Sequence, residues 1–504
     1  MVRDDSFHGV DIKPQDNAVH ALPAALAKRH NVLPLRVVDG TLYLAIANPS
    51  NVIALDEVRL ATGYDIRPVV ANPNHITAEI TNLYGPLDSI ARDTEQSPEA
   101  KELLLTADSA TALSIIDIVN SMFEQAVQQR ASDIHLEPNL EGGQVRFRID
   151  GLLHPQISFD PQVFAAVITA LKVRAGMDIA KRLIPQDGRL ECTVSDQKID
   201  VRMASLPTIK GEKLVLRLLH RTSRIDDISK LGFTGQVQKS LLCFLARSGG
   251  MILATGPTGC GKTTTLYTLL KSLNSTEQNI ITIEDPVEYH LPGVNQVQVN
   301  PKAGLSFASG LRAILRQDPN IIMVGEIRDR ETAEIAVRSA LTGHLVLSTL
   351  HTNDAASTIT RLLDMGIEPY LLASALNGIL SQRLVRSVCS YCGEPYTPDI
   401  YEQRTLGSHP TEQHARLRKG RGCPLCRYTG YLGRMPIAET LDANSGSIQA
   451  MILARSTAED IRQQAIKEGM VPLLGDGLAK VAAGYTTVAE VIQAVGWLAE
   501  STFS

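Results

Sequence analysis

No apolar stretch among these 504 residues approaches the roughly 20 that cross a bilayer. The opening MVRDDSFHGVDIKPQD also lacks the apolar segment of an export signal, so the expected compartment is the cytosol. Positive charge is not in excess: 49 Lys and Arg stand against 54 Asp and Glu, a net −5, without the bulk field of a dedicated nucleic-acid binder. Aromatic residues make up only 4%, and no stretch interleaves them with basic residues as a surface gripping single strands does. Low-complexity tracts and internal repeats are absent apart from a paired CxxC. Cysteine is sparse and odd in number, seven in all, which argues against a disulfide framework. Four of them form the two CxxC pairs, which in a reducing compartment point to a metal and leave Cys192, Cys243 and Cys260 as free thiols.

What is present, 44% hydrophobic against 20% charged residues, suffices to bury real cores. The length exceeds what one core serves, so three or four domains are expected. Residues 1–85 read as a small α/β module, with TLYLAIANP a buried strand and NVIALDEVRLATG an amphipathic helix ending at Gly63. Residues 86–110 are polar and weakly periodic, as a linker is. Residues 111–225 read as an α+β domain. Ile115, Ile116, Val119, Met122, Phe123 and Ala126 share one helix face, and in QVRFRIDG Val145, Phe147 and Ile149 alternate with Arg146 and Arg148 before an Asp150-Gly151 hairpin turn. From 226 to 385 the apolar strands MILATG, NIITIED, NIIMVGE and HLVLSTLH alternate with helices, the pattern of a mostly parallel sheet covered on both faces. Residues 386–430 carry the paired cysteines, and 431–504 read as several short helices.

One segment carries defined chemistry. The loop GPTGCGKTT runs from Gly256 through Pro257, Thr258, Gly259, Cys260, Gly261 and Lys262 to Thr263 and Thr264, between an apolar strand and an amphipathic helix. Glycines there let backbone N–H groups turn inward around phosphates, and the helix N-terminus adds its dipole. Lys262 is expected on the β and γ oxygens, and the Thr263 hydroxyl on Mg²⁺. A nucleotide is the expected ligand.

Two further strands end in acids. NIIMVGE terminates in Glu326 where an Asp is usual, and NIITIEDPVEY carries Glu284, Asp285 and Glu288 at the edge where a parallel sheet gathers ligands. Hydrolysis needs one carboxylate to deprotonate a water and another near the metal, and the residue types alone do not assign them. His344 and His351 bracket the next strand. Arginine accelerates such reactions by meeting charge on the γ-phosphate, and Arg202, Arg217, Arg312, Arg316 and Arg434 are candidates, with Arg312 and Arg316 four apart on LRAILRQ. Cys389, Cys392, Cys423 and Cys426 offer four thiolates to a tetrahedral Zn²⁺, a filled shell suited to structure.

GPTGCGKTTTLYTLL, ITIEDPVEY, LRAILRQDPNIIMVGEIRDRETAEIA, TGHLVLSTLHTNDA and SQRLVR together resemble the secretion ATPase superfamily of type II secretion systems and type IV pili, in the GspE/PulE branch. The likeness runs from SDIHLEP at Ser132 to the C-terminus. It implies a multidomain α/β protein: a RecA-like P-loop domain, a PAS-like α+β second domain, a small N-terminal α/β module and a tetracysteine zinc insert. It implies Glu288 as general base, Glu326 as the group near Mg²⁺, His344 and His351 as the histidine box, and Arg202 and Arg217 as arginines brought to the nucleotide by the second domain. Arg312, Arg316 and Arg434 match further family arginines, some thought to act across subunits. The implied activity is Mg²⁺-dependent ATP hydrolysis by a homo-hexamer that drives pseudopilus assembly and protein export, or alternatively assembly of a type IV pilus. The implied partners are the cytoplasmic domain of an inner-membrane platform protein, bound by the N-terminal module, and a polytopic platform protein, with acidic lipids nearby and the enzyme peripheral to the membrane. Some relatives bind cyclic di-GMP through two tandem motifs in that module, but here only one motif's length precedes LYLAIANP and no Arg-Leu-Gly opens it, which argues against that ligand. A DNA-translocating motor, the reading from another class, is disfavoured by the acidic balance, and a scaffold without motor activity by the intact set Lys262, Thr263, Glu288 and Glu326.

Overall fold

A computed structural model describes residues 14–19, 21–38, 40–83, 109–194, 197–220, 227–407 and 417–496. Most of the expected linker, 86–110, lies outside the described residues. The chain divides into two units, residues 1–222 with 421–430, and residues 223–420 with 431–504.

The first unit opens with strands β1 (Leu33–Val38), β2 (Thr41–Ile46) and β3 (Asp65–Val70), the first pair antiparallel and the second parallel. The helix Val52–Thr62 makes the parallel crossover. The Asn51 side chain accepts from the Ala54 N–H at its start, and Gly63, at φ 69°, takes the left-handed conformation that ends it. Leu42, Leu44, Val58 and Ile76 fill the core between them, all fully buried.

Next comes an antiparallel sheet of β4 (Asp133–Asn139), β5 (Gly142–Ile149), β6 (Leu152–Phe159), β7 (Gln186–Val194), β8 (Gln197–Thr208) and β9 (Gly211–His220), in the order β6-β5-β4-β9-β8-β7. Val145, Phe147 and Ile149 point into a core shared with the helices Ser109–Gln128 and Pro161–Arg174. Asp150 and Gly151, at φ 49° and 90°, form the hairpin turn as expected. The helix face is narrower than expected, because Ile116 is 45% exposed. On the face away from the core, cross-strand register lines up Arg148, Asp133, Arg217, Arg202 and Arg189 across five neighbouring strands.

The second unit is built on a seven-stranded sheet: β10 (Gly250–Thr255), β11 (Ile280–Glu284), β12 (Asn295–Gln298), β13 (Ile321–Val324), β14 (Leu345–Leu350), β15 (Leu376–Val388) and β18 (Tyr431–Asp442), in the order β12-β11-β13-β14-β10-β15-β18. Two short strands, β16 (Gly393–Pro395) and β17 (Arg418–Gly420), form a separate ribbon. The first six strands of the large sheet are mutually parallel and β18 runs antiparallel to β15. Buried side chains pack on both faces, which is why residues 251–254 of β10 and the whole of β13 read as unbroken apolar runs. The expectation of helices from 431 is corrected at its start, since residues 431–442 are a strand. Gly433 and Pro436 break the alternation there, and an edge strand tolerates proline because one side needs no ladder bond. Helices Gly446–Leu453, Ala458–Lys467, Leu473–Ala482 and Val488–Val495 follow it. Glu439 on β18, almost wholly buried, accepts from the Ala355 N–H at 2.8 Å and the Leu473 N–H at 3.0 Å, so one carboxylate serves the first turns of two helices. Among the described residues no helix is long and apolar enough to cross a membrane.

Candidate nucleotide and metal sites

The parallel strands point their carboxyl ends to one edge, where loops can present backbone and side chains to a ligand. After β10 the chain turns through Gly256, Gly259 and Gly261, with φ of 143°, 78° and 93°. A side chain at Gly256 would also collide, because its Cβ would stand 2.4 Å from the Gln382 carbonyl oxygen. The helix Lys262–Leu273 then starts directly from Gly261. Lys262 Nζ donates to the carbonyls of Gly256 at 2.7 Å and Pro257 at 3.0 Å. Burial holds its ammonium below the ordinary range, against the opposing pull of the Cys260 thiol and Glu326. Pro257, Thr258 and Gly259 are exposed, Cys260 is buried, and Thr263 and Thr264 are half-buried on the first turn.

Glu326 follows β13, with its side chain 13% exposed. It pairs with Arg328 and has Oε2 3.6 Å from Nε2 of His351, which follows β14 on the same edge. Burial first, and the Lys262 ammonium second, press the His351 imidazole below its usual range, so it is neutral at pH 7. Thr255, the residue before Gly256, is hydrogen-bonded to Thr352, which ties the loop after His351 to the base of the glycine loop. His344 is not brought to this edge. It precedes β14, and Nδ1 sits 3.0 Å from the Ser339 carbonyl at a helix end, on the far side of the sheet from His351.

The acidic segment after β11 separates into two roles. Glu284 is neither solvated nor open to a ligand: it is 3% exposed and accepts from Tyr267 and, at 2.5 Å, from Thr282. Burial raises its carboxyl above the usual range, and burial together with Glu284 raises the Tyr267 phenol. Tyr267 belongs to the helix that begins at Lys262, and its oxygen also accepts from the Glu288 N–H at 3.4 Å. The helix of the glycine loop thereby supports the turn that carries Glu288, a half-buried side chain.

Arg312 lies in the helix Phe307–Ile314 and pairs with Glu331 at 2.5 Å. Arg316 falls beyond that helix and donates to the Arg312 carbonyl at 2.9 Å, a correction to the expectation that both ride on one helix. Arg434 is an exposed residue of β18 opposite Arg386. Arg202 and Arg217 face each other across β8 and β9 in the first unit, and Arg217 also reaches Asp133 at 3.1 Å. Sequence reasoning missed Gln382, Arg383, Thr255 and Tyr267, which hold the site from beneath. Their only local signal was a polar residue inside an apolar strand or helix.

Pairing of β15 with β18 brings the segments after Val388 and before Tyr431 to one end. There the sulfurs of Cys389, Cys392, Cys423 and Cys426, all buried, lie within 4.8 Å of one another. The Cys423 and Cys426 sulfurs are 3.7 Å apart. A tetrahedral ion with metal–sulfur bonds of about 2.3 Å separates its ligands by about 3.8 Å, so the donor set fits zinc. Cys192 and Cys260 are buried thiols and Cys243 an exposed one, none in a disulfide.

A profile for type II/IV secretion system protein matches residues 108–493. The chain belongs to that family. An MshEN domain profile matches residues 9–90. The type IV pilus assembly ATPase PilB of Thermus thermophilus is 45% identical over 95% of this chain, which spans only 55% of that longer relative. The type II secretion system protein E of Xanthomonas campestris is 43% identical, over 94% of this chain and 85% of its own length. Among solved structures, the pilus retraction motor PilT with bound ADP superposes with a TM-score of 0.51 at 27% identity, over 75% of this chain and 96% of PilT. As a secretion-family member with a PilT-like core, the chain is a multidomain α/β protein with the RecA-like ATPase fold.

Proposed function

We propose that this chain is the Mg²⁺-dependent ATPase motor of a type II secretion system, working as a ring of six at the cytoplasmic face of the inner membrane to assemble a pseudopilus. The observation that carries this reading is the convergence of Lys262, Glu326 and His351 on the carboxyl edge of one parallel sheet. ATP lies along the glycine loop, its phosphates met by main-chain N–H groups and the Lys262 ammonium. Thr263 and Glu326 are the residues that would hold a magnesium ion, which when bound would supply neutralisation of phosphate charge. Glu288 takes a proton from the attacking water, its turn steadied through Tyr267 and Glu284. His351, uncharged, contacts the γ-phosphate or its water, while Arg202 and Arg217 of a PAS-like second domain meet the charge that builds during transfer. Arg312, Arg316 and Arg434 are candidates to act across subunits, and His344 to steady its strand. Cys389, Cys392, Cys423 and Cys426 would hold Zn²⁺, which would serve structure and not chemistry. The N-terminal module engages the cytoplasmic domain of a platform protein, and a polytopic membrane protein receives the motion.

A second reading, assembly of a type IV pilus, is favoured by the name of the Thermus relative. Complementation separates the two: restoring the gene to a deletion strain restores either export or pili. The chemistry is tested by Glu288→Gln, expected to lower turnover at least about 100-fold while leaving ADP affinity unchanged by calorimetry. Retained turnover removes Glu288 as the base.

A further inference from the structure

Gln382 lies within β15, the strand beside β10, and is 1% exposed. Both ends of its amide are spent on the glycine loop and its helix. Nε2 donates to the Cys260 carbonyl at 2.7 Å, and Oε1 accepts from the Thr265 hydroxyl at 2.9 Å. The orientation of the amide follows from this, since the reverse would set two carbonyl oxygens against each other. The backbone carbonyl of the same residue is what forbids a side chain at Gly256, so Gln382 meets the loop at its beginning and at its end.

A trans peptide is planar, with its C=O and the following N–H pointing in opposite directions. Fixing the Cys260 carbonyl toward Gln382 therefore fixes the Gly261 N–H in the opposite direction, away from Gln382. Gly261, at φ 93°, is free of the side chain that would resist that plane. We propose that Gln382 is a positioning residue for phosphate binding: by holding the Cys260–Gly261 peptide it aims the Gly261 N–H into the phosphate cradle. Arg383 carries the restraint onward, donating to the Gln382 carbonyl at 3.1 Å and to the Asn353 carbonyl in the turn after His351. One dipeptide of β15 thus braces both the loop that receives the phosphates and the turn that carries the histidine.

The inference rests on the nucleotide reading above and is tested on the full chain with Mg·ADP, AMP and ATP. Gln382→Glu keeps the shape and still accepts from Thr265, but has no N–H for the Cys260 carbonyl. Its affinity for ADP should fall about 10-fold, with AMP affinity unchanged, because the lost donor serves a phosphate that AMP lacks. Turnover should fall by a similar factor. A second variant, Gln382→Met, fills the same volume without a donor and must show the same ADP-specific loss. Thr265→Val, which releases only the other end of the amide, should retain ADP affinity within about twofold. Equal weakening of ADP and AMP, or ADP affinity within twofold of the unsubstituted chain in either Gln382 variant, overturns the assignment. Failure of the unsubstituted chain to take up ADP sinks the nucleotide reading instead.

Discussion

The phosphate edge of the parallel sheet and the arginine row of the second domain both gather cations on a sheet, but they hold them differently. Lys262 is 8% exposed and bonded to two carbonyls of its own loop. Its neighbours Glu326, His351 and Thr255 are likewise engaged by protein groups. Across the row from Arg148 to Arg189, by contrast, a single carboxylate, Asp133, stands among four guanidinium groups, and the Arg217 side chain is 62% exposed. A cation held in place sets how tightly a ground state binds. An exposed one is available for charge that develops only during reaction.

The largest test of that contrast is Lys262→Ala. We expect turnover to fall at least about 1,000-fold and ADP affinity to drop with it, because ground-state and transition-state contacts vanish together. Arg217→Ala and Arg202→Ala should behave otherwise, with turnover down about 100-fold and ADP affinity changed less than about twofold. An arginine variant that loses ADP as Lys262→Ala does would dissolve the distinction. A third kind of site has no part in the chemistry. Stripping metal from the four cysteines with a chelator should lower the thermal midpoint by about 10 °C while ADP affinity, measured below that temperature, stays put. The smallest effect is expected at Glu439→Gln, which sets an amide N–H₂ against one of two helix N–H donors. It should cost about 2 kcal/mol in denaturant unfolding and leave the turnover of folded protein unaltered.

What could be read from the residues follows the range of the interactions that fix them. Gly63 as a helix end, the Asp150-Gly151 hairpin and the glycine loop are local, set by backbone preferences within a few positions, and all are visible in the chain. So are the paired cysteines, whose spacing is itself the signal. Gln382 was invisible because its partners, Cys260 and Thr265, are more than 100 residues away. Glu284 is grouped by sequence with Asp285 and Glu288 at the ligand-gathering edge because all three are acidic, whereas Tyr267, the group that encloses it, arrives from a distant helix. His344 and His351 looked alike in bracketing a strand, yet a strand separates its ends, and six residues at about 3.3 Å each put the two imidazoles on opposite edges. The strand at Tyr431–Asp442 was hidden by Gly433 and Pro436, residues that break a central strand but not an outer one.

That outer strand has a consequence for solubility. The rims of the seven-stranded sheet are β12, only four residues long, and β18, interrupted by proline. Neither offers a long unbroken row of unpaired amides to a second molecule, so many copies can crowd together without zipping strand onto strand into aggregates.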